Sequence, residues 1–131
     1  VCPDGWHLPS DEEWKQLELF MGINQADLDI IGFRGTDQGS SLAADKLLWT
    51  NDSLVFHPSF ENSGFDALPS GIRNCCSGEF LYQHDVTVIR TSEDLGNAGT
   101  ICRRIDYNYT QLKRTQPIKS HGMAIRCIKD Q

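Results

Sequence analysis

The apolar period of this chain changes once, near Trp49, and that change decides the fold class. Ahead of it, Ser10-Asp11-Glu12-Glu13 has the capping-box pattern, in which Ser10 accepts from the Glu13 amide and Glu13 reaches back. The pattern predicts a helix ending at Gly22. Its apolar stripe is Trp14, Leu17 and Met21, spaced i, i+3 and i+7, with Phe20 beside them. Acidic residues in the first turn suit the helix dipole. A second helical stretch is expected over residues 25–31 and a third over 40–48, separated by the glycine-rich turn Gly35-Thr36-Asp37-Gln38-Gly39. Past Trp49, short β-leaning pieces alternate with Gly, Asn, Asp, Ser and Pro, and residues 86–91, 100–105 and 123–128 are the expected strands. Helices first and short strands later mean α+β, not a βαβ wind. No linker, repeat or low-complexity tract interrupts the sequence, so one domain over residues 1–131 is expected.

Charge narrows the partners. With 18 acidic against 12 basic side chains the formal charge is −6 and the pI near 5.0, which disfavours nucleic acid bound by counterion release and anionic membrane surfaces. Apolar runs such as Asp29-Ile30-Ile31-Gly32-Phe33 fall far short of the ~20 residues that span a bilayer. Val1 is not preceded by a charged or apolar leader, so any targeting segment is expected to have been removed. Five cysteines in a chain this short lean toward an oxidising compartment, and their odd number leaves at least one unpaired. Two glycosylation sequons, at Asn51 and Asn108, are common enough by chance to carry little weight.

Catalytic and metal chemistry find no pattern here. His7, His57, His84 and His121 are scattered, without HxH, HExxH or CxxC spacing, so no metal site and no cofactor is expected. The adjacent Cys75 and Cys76 rarely bridge each other because the ring is strained; with Cys102 they form one further disulfide or remain free. A nucleophilic cysteine needs a base beside it, and only Arg73 stands near this pair. No GxSxG, P-loop or dinucleotide fingerprint occurs, and Asp11-Glu12-Glu13 serve a helix N-terminus, so the chain is not read as an enzyme. Asp94-Leu95-Gly96-Asn97 and Asp106-Tyr107-Asn108 lack the carboxylate density of a tight calcium site and read as solvated loops. Trp6, Trp14 and Trp49 read as packing residues.

The opening Val1-Cys2-Pro3-Asp4-Gly5-Trp6-His7-Leu8-Pro9-Ser10-Asp11-Glu12-Glu13-Trp14 resembles the signature of the Fibrobacter succinogenes major paralogous domain, a family of secreted or surface-displayed bacterial proteins. Three later blocks, at residues 34–40, 63–73 and 122–130, look like that family's in the same order. The family is similar in pattern to C-type-lectin-like domains of the kind shared with formylglycine-generating enzymes. The resemblance implies two main helices flanking a small twisted antiparallel sheet, an irregular second half and chain ends that lie together. A bridge between Cys2, just before the first helix, and Cys127, in the last expected strand, suits such an arrangement. It would close nearly the whole chain, worth about 4 to 5 kcal/mol in the chain-entropy account.

Departures from the family pattern cluster between Asn74 and His121. Val88-Ile89-Arg90-Thr91-Ser92-Glu93 stands where relatives carry an aromatic pair and Ser-Ser-Thr-Glu, and Cys, His, Ile, Thr and Arg stand where they are rich in Asn and Tyr. That mixture resembles the variable proteins of diversity-generating retroelements, which display a hypervariable binding face on a C-type-lectin-like scaffold. Residues 103–126 also hold Arg103, Arg104, Lys113, Arg114, Lys119 and Arg126 against Asp106 alone. A solvated face is the ordinary explanation; an acidic protein or glycan partner is the functional one. Strand alternation sends Ile101, Arg103 and Ile105 inward and Cys102 and Arg104 outward. The expected ligand-binding patch is therefore Tyr82, His84, Arg90, Cys102, Arg104, Tyr109, Lys113, Gln116 and His121. The function expected is a surface-displayed binding domain; the alternatives are a structural or adhesive surface module and, third, an enzyme of the formylglycine-generating type.

Overall fold

The computed structural model describes residues 1–131. A two-residue strand β1 (Trp6–His7) leads into helix α1 (Asp11–Phe20), where the capping box closes: Ser10 Oγ accepts from the Glu13 amide at 3.1 Å and Glu13 Oε2 from the Ser10 amide at 2.9 Å. Gly22, at φ +100°, turns the chain out of the helix. The expected stripe is only partly inward. Trp14 is buried, Leu17 and Met21 are half-buried, and Phe20 is 89 % exposed. Glu18, charged and outside the stripe, is fully buried.

The middle of the chain is less helical than expected. Residues 25–31 yield a single 3-10 turn, Gln25–Asp27, before strand β2 (Gly32–Arg34). In place of a helix over 40–48 there are two short ones, α2 (Gln38–Leu42) and α3 (Ser53–Phe56). The first stops because Ala43 turns extended and pairs with Ala67, whose carbonyl takes the Ala44 amide at 3.0 Å. Gly39 permits α2 to press against the loop before the later strands, since a Cβ there would lie 2.4 Å from the Gln111 carbonyl oxygen. One ten-residue helix and two short ones therefore replace the two main helices implied by the resemblance.

Strands β3 (Ile72–Arg73) and β4 (Phe80–Leu81) form a hairpin, followed by β5 (Val86–Asp94), β6 (Thr100–Asp106), β7 (Leu112–Thr115) and β8 (Ile128–Lys129). The main sheet is antiparallel in the order β2-β7-β6-β5. Of the expected last strand, residues 123–128, only Ile128 pairs regularly, as part of β8; Ala124 makes an isolated bridge to Ile89 and helps cover the edge of β5. β8 pairs with β1, and Cys2 and Cys127 are joined beside them with Cα atoms 5.9 Å apart. The architecture is α+β, with few helices and several antiparallel sheets.

One face of the main sheet packs into the larger core, and the other is covered only over β5 and the start of β6. Ile89, Ile105 and Leu112 pack against Trp14, Leu42, Trp49 and Leu54 on one side; each fully buried leucine contributes about 1.5 to 3 kcal/mol. Val86, Val88 and Cys102 pack beneath Ile72 and Met123 on the other. This second layer overturns the expectation that Cys102 points to solvent: its side of β6 is right, but the thiol is fully buried. Trp6 departs from its packing role too, being 44 % exposed on β1.

Candidate functional site

Register sorts the basic residues of the second half between the two faces. Arg103 on β6 pairs with Arg114 on β7, and both project toward α1. There Asp11 accepts from Arg103 Nη1 at 2.8 Å and Arg114 Nη2 at 2.7 Å, while Glu18 takes Arg103 Nη2 at 2.7 Å and Arg34 Nη2 at 2.6 Å. Burial raises the Asp11 carboxyl, but hydrogen bonds from Arg114 and Arg103 outweigh it and hold the group well below the usual carboxylate range. The acidic first half and basic second half thus meet inside the molecule. Arg104 is paired with Asp106 at 2.6 Å and Lys119 with Asp94 at 2.6 Å, so a contiguous free basic face does not form. These pairings also occupy the two carboxylates of the loops considered for calcium.

The opposite face carries the candidate site. Phe33 on β2, Lys113 on β7, Arg104 on β6 and Val88 on β5 stand in one row across the sheet. Tyr109, in the β6–β7 connection, stacks on Phe33 with ring centroids 3.9 Å apart and planes inclined by 15°. The Lys113 ammonium lies 5.3 Å from the Phe33 centroid, within cation–π range. Arg104 and His121 line one small hollow with Thr115 and Pro117. His121 Nδ1 accepts the Cys75 amide at 3.1 Å, which fixes its ring.

Other expected site residues stand apart from that row. Arg90 shares the face by register with Cys102 and Thr115, and its guanidinium donates to the Lys119 carbonyl at 3.0 Å. Gln116 extends past the end of β7 to the Ala98 carbonyl at 2.9 Å. Tyr82 and His84 sit in the turn before β5 with left-handed backbones, φ +61° and +72°, and His84 Nδ1 bonds the Leu48 carbonyl at 2.8 Å. No hydrogen bond or ring contact joins either to the row. Cys102 is withdrawn from the site: its sulfur rests 3.3 Å from Met123 Sδ, and burial pushes the thiol up to about 11.

Two features escape sequence reasoning. Phe33 lies in an apolar run and carries no local mark of a surface ring; only its pairing with Lys113 places it outside the core. A cleft of about 640 Å³ opens beside α1, lined by Leu17, Phe20, Met21, Asn62, Phe65 and Arg126, with the Arg126 guanidinium 4.4 Å from the Phe65 centroid. Phe20 is the one available signal, since it falls beside the i, i+3, i+7 stripe rather than on it.

No curated protein and no solved structure matches the chain. A family profile does, over residues 1–129, a span that takes in α1, the main sheet and the strand pair beside the Cys2–Cys127 bridge. On that match the chain belongs to the Fibrobacter succinogenes major domain family.

Proposed function

We propose that this domain is a surface-displayed binding module with a C-type-lectin-like scaffold, taking a protein or glycan ligand on the face built from Phe33, Tyr109, Lys113, Arg104 and His121. The observation that carries the reading is the Tyr109–Phe33 stack with Lys113 above it: Tyr109 is 43 % exposed, and an aromatic pair with an adjacent cation is the kind of anchor that dominates interfaces. Three adjacent sheet strands, β2, β7 and β6, hold Phe33, Lys113 and Arg104, so ligand binding there needs little ordering of the backbone. Lys113 suits an acidic group on the partner; the stack suits an aromatic side chain or a sugar ring. Diversification by a retroelement belongs to the same proposal, because substitutions at such surface positions leave the core untouched. Binding, not catalysis, is the activity proposed, in an extracellular or cell-surface location.

The test is an array of glycans and bacterial surface proteins probed with the wild-type domain, Tyr109→Ala and Lys113→Glu. A ligand held by the wild type and lost by both variants, with unchanged melting, supports the reading; a ligand held equally by all three overturns the site. Repeated sequencing of the gene region tests diversification, which requires adenine-directed changes confined to codons 74–121. The cleft beside α1 favours a second reading, an adhesive module whose ligand seats on the exposed Phe20. Loss of binding in Phe20→Ala alone selects it.

A further inference from the structure

The tip of the β3–β4 hairpin carries two thiols that the binding reading does not use. Cys75 Sγ and Cys76 Sγ lie 2.9 Å apart, in direct contact. Their turn is pinned from several sides. Asn74 Oδ1 accepts from the amides of Cys76 at 2.9 Å and Ser77 at 3.1 Å, the Asn74 amide donates to the Glu79 carbonyl at 2.8 Å, and the Cys75 amide donates to His121 Nδ1 at 3.1 Å. Cys76 is exposed and Cys75 half-buried, so a small reagent reaches both, whereas Cys102 is sealed beneath Met123. The thiols differ in acidity. Hydrogen bonds from Cys76 and Ser120 lower Cys75, and Cys75 in turn raises Cys76.

We propose that Cys75 and Cys76 form an exchange site for low-molecular-weight disulfides such as oxidised glutathione, closing reversibly into a vicinal disulfide. The Cys75 thiolate attacks one glutathione sulfur, forming a mixed disulfide and releasing one glutathione thiolate. Cys76 then gives its proton to solvent and displaces the second glutathione from Cys75. Two protein thiols are oxidised and one external disulfide is reduced to two thiols. Cys75 attacks because the thiolate is the nucleophile and its thiol is the more acidic. The ring formed between adjacent residues is strained, which makes it readily reduced, unlike the Cys2–Cys127 bridge.

The experiment equilibrates the full chain in glutathione buffers from reducing to oxidising, quenches with an alkylating reagent and maps the peptides by mass. Expected in oxidising buffer is loss of two hydrogen atoms and of both alkylation sites from the peptide holding Cys75 and Cys76. Both should return in a reducing buffer that leaves Cys2–Cys127 intact. Cys76→Ser should accumulate one glutathione on Cys75, and Cys75→Ser should capture glutathione on Cys76 more slowly than Cys76→Ser captures it on Cys75. Wild-type protein carrying glutathione on both thiols without closure, thiols that stay reduced in the most oxidising buffer, or a bridge from either to Cys102 would each overturn the proposal.

Discussion

Arg103 and Glu18 meet side-on in the interior, with Nη2 2.7 Å from Oε1 and Nε 3.2 Å from Oε2, and neither side chain reaches solvent. The same carboxylate holds Arg34 Nη2 at 2.6 Å, so one buried anion bridges two buried cations, with Asp11 as the second carboxylate of Arg103. Burying charge is costly, and the arrangement stands because paired geometry offsets the desolvation. Breaking it strands the remaining charges.

Glu18→Leu therefore leaves Arg34 without a carboxylate and Arg103 with Asp11 alone. Its expected cost is about 3 to 5 kcal/mol, read from denaturant unfolding. A loss below about 1 kcal/mol would show that the interior charge is not held as the geometry indicates.

Acid sensitivity follows from Asp11. Its carboxyl is lower in the folded chain than its ordinary 3.8, so the folded state binds fewer protons. The stability it contributes is fully present above the unfolded value and is lost as pH falls through the folded one. Melting measured between about pH 5 and pH 2 should fall more steeply for the wild type than for Asp11→Asn. Parallel curves would assign the acid limb to other carboxylates.

The bridge between Cys2 and Cys127 spans 125 residues. Cys2→Ser with Cys127→Ser should lower stability by about 4 to 5 kcal/mol at most. Hydrogen exchange should show Trp6, His7, Ile128 and Lys129, the β1–β8 pair, opening before the main sheet. Protection of that pair equal to the wild type would mean the bridge adds nothing local.

Core and face should separate under substitution. Trp14→Ala removes an indole that is 3 % exposed and should cost about 3 to 5 kcal/mol. Gln116→Ala trims an exposed side chain and should stay within roughly 0.5 kcal/mol. Equal melting shifts would refute the division.

Helix α1 is legible in the sequence because its signals are local. Ser10 and Glu13 lie three residues apart, and Gly22 follows directly on the last turn, so short-range hydrogen bonding and backbone sterics decide start and stop. Residues 86–91 and 100–105 are legible as strands for a similar reason: β-branched side chains favour the extended backbone wherever it packs. The partners of those strands are not local. Cys102 reads as outward because alternation assumes one wet face, yet Ile72 and Met123, distant along the chain, cover that face. Arg103 and Arg114 read as half of a basic surface, yet their carboxylates lie 92 and 103 residues away at Asp11, brought near by the β6–β7 register. Phe33 joins Tyr109 and Lys113 only through the pairing of β2 with β7. Composition and periodicity set which segments become helix or strand, since those depend on neighbours within a few residues. Which charges are buried and which ring faces solvent depended on long-range register, and register is a property of the packed chain.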